Sequence, residues 1–106
     1  MSKNQKQRVI EELQAGRTAK FKGSGNSMHP RIKSGATVTL EPVPDLNDLE
    51  VGDAVFCKVR GNVFTHVVSA LRGKGDNREV QISNLKGHVN GWTTKVYGRV
   101  IEVAQP

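Results

Sequence analysis

Hydrophobic and polar residues alternate along most of this chain with the two-residue period of β-strands. The alternation is clearest at 36–41 and 63–71, and Arg60-Gly61-Asn62 between two β-rich runs predicts a hairpin. Gly98 inside the last run predicts a bulge or bend. The predicted strands are 18–22, 36–41, 54–59, 63–71, 79–83 and 95–103. Short, closely spaced strands predict a mainly β fold, either a curled antiparallel sheet or a small, partly open barrel.

One segment departs from this period and predicts a short helix. In residues 4–15, Val9, Ile10 and Leu13 form a narrow apolar stripe among good helix formers, and Gly16 is suited to end the helix. A helix this short is not stable alone, so its stripe must dock on the β-domain or on a partner. We therefore divide the chain into an N-terminal basic helix, 1–16, and a β-domain, 17–106.

The charge is concentrated near the N-terminus. Residues 1–36 carry Glu11 and Glu12 as their only acids, while 37–106 carry equal numbers of basic and acidic residues, so the net charge of +6 lies in the first third. The basic residues there are Lys3, Lys6, Arg8, Arg17, Lys20, Lys22, Arg31 and Lys33. Such a segment binds nucleic acid, anionic lipid or an acidic protein, or is simply a solvated surface. Trp92 and Tyr97 could stack on bases, but core and strand-edge packing is the stronger interpretation, so nucleic-acid binding is the weaker alternative.

Other chemical classes find no support in the sequence. The single cysteine, Cys57, excludes an internal disulfide and lies in an apolar run typical of a core residue. Three histidines, His29, His66 and His88, match no zinc spacing, and no glycine-rich phosphate loop is present, so we expect no metal and no cofactor. No apolar stretch has the length of a membrane span, and the N-terminus lacks the apolar core of a secretory signal. A cytoplasmic protein is the expectation.

The segment with the most chemical information is the loop 23–30, Gly-Ser-Gly-Asn-Ser-Met-His-Pro. A serine nucleophile needs a hydroxyl presented by a tight loop, backbone N–H groups near the developing oxyanion, and a base within hydrogen-bond reach. Gly25 allows unusual dihedral angles before Ser27, and Pro30 stiffens the exit from the loop. On the loop alone, an ordinary turn serine is the simpler interpretation.

The order of the following segments adds to this loop. GNSMHPRIKSG (25–35) precedes the strand ATVTLE, then come VGDAVF (51–56), the hairpin and THVV (65–68), and a Gly-x-Val-x-x-Val strand closes the chain at 98–103. Over about residues 21–103 this arrangement resembles the serine peptidase superfamily of signal peptidases and SOS-type repressors. In that family a Ser-Met-x-Pro loop carries the nucleophile and a hairpin delivers the general base. The resemblance implies Ser27 as nucleophile, with Gly25, Asn26, Ser27 and Met28 forming the oxyanion loop.

The residue at the base position indicates the branch of the family. Bacterial signal peptidases and SOS repressors have lysine there, whereas the endoplasmic-reticulum and archaeal signal peptidases have histidine, so the resemblance is to the Ser/His branch and implies His66 as the base. Strict alternation puts His66 on the same face as Phe64 and Val68. Partial burial on that apolar face favours the neutral imidazole that a base needs near pH 7. A core histidine bonded to a backbone carbonyl is the alternative.

The third member of the catalytic group stays open. The Ser/His branch has an acidic residue after a Gly-Asp-Asn-like stretch, but the corresponding segment here is Lys86-Gly87-His88-Val89-Asn90. Asn90, His88 or Asp76 is a candidate to orient His66, since an asparagine serves this purpose in Cys-His-Asn systems. His29 and Pro30 are expected to border the substrate cleft.

The resemblance implies a soluble serine endopeptidase, or a self-processing domain, acting on an extended peptide through a Ser27–His66 dyad. Ala15-Gly16 resembles a self-cleavage bond, but the predicted strand 18–22 takes up most of the reach to Ser27, which favours Gly16 as a helix stop. The alternative function is a catalytically inactive binding or inhibitory protein of phage or plasmid type. Neither the substrate or partner nor the oligomeric state follows from the sequence.

Overall fold

The computed structural model describes residues 4–106, and the fold is mainly β with one short helix, as the alternation predicts. The helix and strands are α1 Gln5–Gln14, β1 Ala19–Lys22, β2 Thr37–Pro42, β3 Ala54–Val59, β4 Asn62–Arg72, β5 Glu79–Ser83, β6 Val89–Thr93 and β7 Val96–Ala104. They form one antiparallel sheet in the order β1-β2-β7-β3-β4-β5-β6. The sheet is not closed, so β1 and β6 are its edges. The first three residues of the predicted N-terminal segment lie outside the described residues.

Strand β3 is buried on both faces and separates two hydrophobic clusters. Its alternate residues Val55, Cys57 and Val59 belong to a cluster formed with β4, β5 and β7, whereas Phe56 belongs to a cluster formed with α1, β1 and β2. Burial on both faces explains why the first four residues of this strand, Ala54 to Cys57, are all apolar. Cys57 is fully buried, and burial raises the pKa of its thiol to about 12, which is the state of a core residue rather than of a nucleophile.

The helix docks through Val9 and Leu13, which are buried against the sheet. A Cβ atom at Gly98 would lie 2.9 Å from Leu13 Cδ1 and 3.0 Å from the carbonyl oxygen of Glu41, so Gly98 is needed for this close approach. Gly16, with φ of +84°, ends the helix as predicted, and its N–H donates to the carbonyl of Leu13. The Ala15–Gly16 peptide bond is therefore part of a hydrogen-bonded helix terminus.

A two-residue turn sets the register of the central hairpin. Arg60 and Gly61 have φ of 50° and 85°, the combination typical of a type I′ turn, and Val59 pairs with Asn62 across it. From this turn the β3–β4 pairing runs without a slip and places His66 opposite Val55.

Strand β6 is not among the strands that the sequence predicts. Polar residues and glycines interrupt its alternation, and it becomes a strand through pairing with β5. That pairing contains a bulge: Ile82 pairs with Gly91 and Ser83 with Val89, which leaves Asn90 outside the ladder. Bulges redirect a side chain away from the regular sheet face.

Candidate active site

Ser27 lies in the connection between β1 and β2, a loop closed by its own hydrogen bonds. The N–H of Gly25 donates to Ser34 Oγ (3.1 Å), and the N–H of His29 donates to the carbonyl of Asn26 (3.2 Å). Gly25 has φ of +101°, a conformation that favours glycine. Met28, the next residue after Ser27, is 4% exposed and anchors the loop in the interior. The loop thus turns Ser27 toward the sheet while Met28 fixes its position.

His66 lies in the middle of β4, and its position follows from the strand alternation. It is 8% exposed, and its ring stacks on Phe64 with the centroids 4.1 Å apart. Phe64 and Val68 pack in the same cluster, whereas Val63 packs in the other, as the two-residue period predicts. His66 is therefore held on two sides, by its strand and by a stacked aromatic ring.

Three side chains from separate parts of the chain form one line of hydrogen bonds. Ser27 Oγ lies 3.1 Å from His66 Nε2, and His66 Nδ1 lies 2.7 Å from Asn90 Oδ1. Because a carboxamide oxygen only accepts, Nδ1 carries the ring proton in this arrangement. Nε2 then has a free lone pair and accepts the hydrogen bond from the Ser27 hydroxyl.

The surroundings of His66 keep its imidazole neutral. Burial lowers the pKa of His66 below the ordinary 6.5, the hydrogen bond with Asn90 acts in the opposite direction, and the nearby His88 lowers it further. Burial is the largest of these effects. At pH 7 the ring is thus a base able to accept a proton.

The turn between β5 and β6 connects both ends of this line. Asn84 Oδ1 accepts hydrogen bonds from the N–H groups of Lys86 (2.9 Å) and His88 (3.0 Å), which fixes the turn. Leu85 in the same turn donates its N–H to the carbonyl of Ser27 (2.9 Å). The turn leads directly into Asn90, so one short segment holds the serine loop and delivers the residue that contacts His66.

The backbone N–H of Ser27 is available as an oxyanion donor. Among residues 4–106 it donates no hydrogen bond, although the carbonyl of the same residue accepts from Leu85. An N–H group beside a nucleophilic hydroxyl is suited to stabilise the negative oxygen of a tetrahedral intermediate.

Ser27 and His66 open onto a cleft of about 480 Å³ between β1 and the first half of β4. Its floor is apolar, formed by Phe21, Met28, Ile32, Ala36 and Val38. The charged residues that line it are Lys6, Lys22 and Lys33, and no carboxylate is among its lining residues. The cleft therefore combines an apolar floor with a positive rim.

The remaining sequence candidates lie away from this line. His29 and Pro30 are exposed and are not among the residues that line the cleft, whereas Ser27 and Met28 in the same turn are. Asp76 is exposed in the 3-10 turn Gly75–Asn77 between β4 and β5. Of the three candidates to orient His66, Asn90 makes the contact, while His88 acts on the ring only through its charge.

Sequence reasoning missed two contributors to the site, Phe64 and Leu85, and one contact at the edge of the cleft that does not involve Ser27 or His66. Phe64 was assigned to the correct face but not to a stack with His66. Leu85 acts through its backbone N–H, which no side-chain pattern reveals. Gln5 contacts the edge of the cleft from α1, and the sequence indicated only that this helix must dock on another surface.

Two findings concern absences within residues 4–106. No three His, Cys, Asp or Glu side chains of this part of the chain lie close enough together to bind a metal ion. No helix in the same range has the length and apolar character needed to cross a membrane.

In comparisons with known proteins, no family model and no curated protein matches this chain. The interpretation of the site therefore rests on its own residues and their geometry.

Proposed function

We propose that this protein is a serine endopeptidase of the signal-peptidase and SOS-repressor type, with Ser27 as nucleophile, His66 as general base and Asn90 as the residue that orients His66. The observation that carries the proposal is the line of two hydrogen bonds, 3.1 Å and 2.7 Å, that joins these three side chains. A core histidine would need only one backbone partner. Here both ring nitrogens contact side chains, one of them the serine of the loop that resembles the family motif.

The positions of the protons on Ser27 and His66 determine the order of the proposed steps. Ser27 Oγ attacks the carbonyl carbon of a peptide bond while its proton passes to His66 Nε2, and the Ser27 N–H stabilises the oxyanion. The imidazolium then donates that proton to the leaving nitrogen as the C–N bond breaks, which leaves an acyl-serine. Water then attacks the ester carbon while its proton passes to His66 Nε2. The bond between the acyl carbon and Ser27 Oγ breaks, the imidazolium returns the proton to Oγ, and the acid product leaves.

An asparagine supports this cycle less strongly than an aspartate. Asn90 Oδ1 fixes the required tautomer, but as a neutral acceptor it stabilises the imidazolium less than a carboxylate would. Slow turnover is the expected consequence, and it suits a protein that acts on few substrates.

The substrate is proposed to be an extended peptide that binds along the outer edge of β1. Main-chain hydrogen bonds from a sheet edge bind peptides of varied sequence, and the apolar floor accepts side chains on one face. Lys6, Lys22 and Lys33 favour peptides with acidic side chains nearby. A cleft with an apolar floor suits a peptide better than a nucleic-acid backbone.

A serine-reactive fluorophosphonate tests the proposal directly. We expect the folded protein to be labelled at Ser27, as mapped by mass spectrometry of its peptides. Ser27→Ala removes the adduct, and His66→Gln lowers the labelling rate by on the order of 10³-fold, because the hydroxyl loses its base. Heat-denatured protein is the control and stays unlabelled.

A different outcome has a definite meaning. If the folded protein is not labelled at Ser27 at reagent concentrations that label a known serine peptidase, the enzyme proposal is wrong. The same geometry then belongs to a binding or inhibitory protein that retains the cleft without the reaction.

A further inference from the structure

The first turn of α1 lies in the proposed peptide cleft and uses its hydrogen-bonding groups. The carboxamide of Gln5 donates from Nε2 to the carbonyl of Lys22 (3.0 Å) and accepts at Oε1 from the N–H of Lys22 (3.0 Å). A carboxamide that donates to and accepts from one residue reproduces the pairing that an added strand makes with a sheet edge. Gln5 thus stands in for one peptide unit of a bound strand.

The Lys22 peptide groups are the ones that an incoming peptide would need. On the neighbouring residue Gly23, the N–H donates to Ala36 and the carbonyl accepts from Gly35, so these groups face the interior side of β1. By alternation the groups of Lys20 and Lys22 face the open side. Because β1 is an edge strand, a peptide that binds by strand addition would pair with this open side.

The same turn also contacts the opposite wall. Lys6 Nζ donates to the carbonyl of Val63 on β4 (2.6 Å). Asn4 and Lys6 border both the cleft and a second depression of about 590 Å³ that reaches Asn90, and His66 borders both. The first turn of α1 therefore divides one groove into two beside the catalytic histidine.

The side chains that hold this turn in the groove are exposed, and one buried polar atom of the groove has no partner among the described residues. The helix is anchored by Val9 and Leu13 in its later turns, whereas Gln5 and Lys6 are exposed. Thr65 Oγ1, in the wall of the cleft, is buried and has no hydrogen-bond partner among the described residues. A peptide in the groove can supply that partner as well as those now given by Gln5 and Lys6.

We infer that the first turn of α1 is an autoinhibitory occupant of the peptide groove, held by Gln5 on β1 and Lys6 on β4. A peptide substrate binds only when these two side chains release the Lys22 and Val63 backbone. Val9 and Leu13 keep the rest of α1 on the sheet, so the exchange needs only the first turn to open. The inference rests on the proposed function, because it takes the groove to be the substrate site.

Hydrogen exchange tests the contact without any substrate. In the native protein the Lys22 amide is protected by Gln5, although it lies on an edge strand. In Gln5→Ala we expect this amide to exchange about tenfold faster or more, because it then faces water. Gln14→Ala, the same substitution at an exposed position in the last turn of α1, is the control and leaves Lys22 protected. Equal protection in Gln5→Ala and the native protein would overturn the inference.

Two phosphonate reagents test the consequence for binding. A small fluorophosphonate needs only Ser27 and His66, so Gln5→Ala should label at the native rate. A tripeptidyl diphenyl phosphonate also needs the groove, and we expect it to label Gln5→Ala about fivefold to tenfold faster than the native protein or Gln14→Ala, as removal of two hydrogen bonds to a competing group implies. The inference is wrong if the peptidyl reagent shows no acceleration. If neither reagent labels any of the three proteins, the proposed function fails instead, and the exchange of Lys22 still shows whether Gln5 covers the edge.

Discussion

His66 and Ser27 meet at 3.1 Å, but they are supported by different kinds of structure. His66 lies within an eleven-residue strand that pairs with β3 on one side and β5 on the other, and its ring has contacts at both nitrogens and on its Phe64 side. Ser27 lies in a loop whose position depends on a few backbone bonds and on one buried side chain, Met28. His66, the proposed base, is held by the sheet, whereas Ser27, the proposed nucleophile, is held by local anchors.

This difference has a physical consequence for reactivity. When a rigid group is hydrogen-bonded to a group on a loop, the position of the loop decides how well the two are aligned. Misplacement of reacting groups by about 1 Å lowers the reaction rate by up to about 10²-fold. Substitutions around His66 should therefore act by changing the pKa of its imidazole and the transfer of the proton. Substitutions in the loop that carries Ser27 should act by moving the loop and by lowering the stability of the fold.

Among residues that do not themselves react, Asn90 is the one whose substitution should slow the labelling of Ser27 most. Asn90→Ala leaves His66 Nδ1 without its acceptor, so the ring loses its fixed tautomer and orientation, and labelling of Ser27 should slow by about 10-fold to 100-fold. The fluorophosphonate rate of the purified variant measures this. A rate within twofold of the native protein would show that β4 alone orients His66.

Asn90→Asp separates orientation from charge through the pH profile. Because burial lowers the pKa of His66, native labelling should be at its plateau at pH 7 and fall to half below pH 6.5. A carboxylate at position 90 stabilises the imidazolium, so the half-maximum should move to higher pH in this variant while the rate at its plateau is kept or increased. An unchanged midpoint would contradict a direct contact between residue 90 and the ring.

The same pKa direction predicts how the native fold responds to acid. Between pH 6.5 and the lower pKa of native His66, the unfolded chain binds a proton at this residue that the folded chain does not. The contribution of His66 to stability is therefore complete above pH 6.5 and declines as the pH falls below it.

Met28 tests the serine side of the comparison. Met28→Ala removes the buried anchor of the loop and should lower the free energy of unfolding by about 2–5 kcal/mol. Labelling of Ser27 should fall severalfold under conditions where the protein is still folded. Denaturant unfolding and the labelling rate measure the two effects.

Met28→Leu is the matched control, since a substitution that conserves volume costs less than about 1.5 kcal/mol. Loss of labelling in Met28→Leu at near-native stability would indicate a specific contact by the thioether rather than an anchoring role.

Most of the fold was predictable because period-two alternation has a simple cause. Strands such as β3 and β5 bury alternate residues, or both faces, and their predicted bounds agree with the structure. Strand β6 was missed because Asn90, Gly91 and Thr93 carry no alternating pattern of their own. Its structure comes from pairing with β5, which lies outside any local window.

The site could be predicted only in part for a related reason. Ser27 and His66 lie in local patterns, a glycine-containing loop and an alternating strand, and the resemblance in the order of these segments is what named them together. The contact of Asn90 with His66 depends on a bulge that moves Asn90 out of the strand pairing. Without knowledge of this bulge, the sequence could not distinguish Asn90 from His88 and Asp76 as the residue that orients His66. The contact of Gln5 with Lys22 depends on how α1 docks, which a narrow apolar stripe does not specify.

Substitution of Asp76 is expected to have the smallest effect. It tests whether Asn90 on β6, rather than Asp76, orients His66. Asp76 is the only carboxylate among the three sequence candidates, and an acid there would have completed a conventional triad. In the structure it lies in an exposed turn whose contact is with Asn47, which donates from Nδ2 to the carbonyl of Gly75 (3.2 Å). Asp76→Asn should therefore change stability by less than about 0.5 kcal/mol and leave Ser27 labelling and its pH midpoint unchanged. A tenfold slower rate in Asp76→Asn would mean that the turn moves to reach His66, and the neutral Asn90 would then no longer explain how the base is oriented.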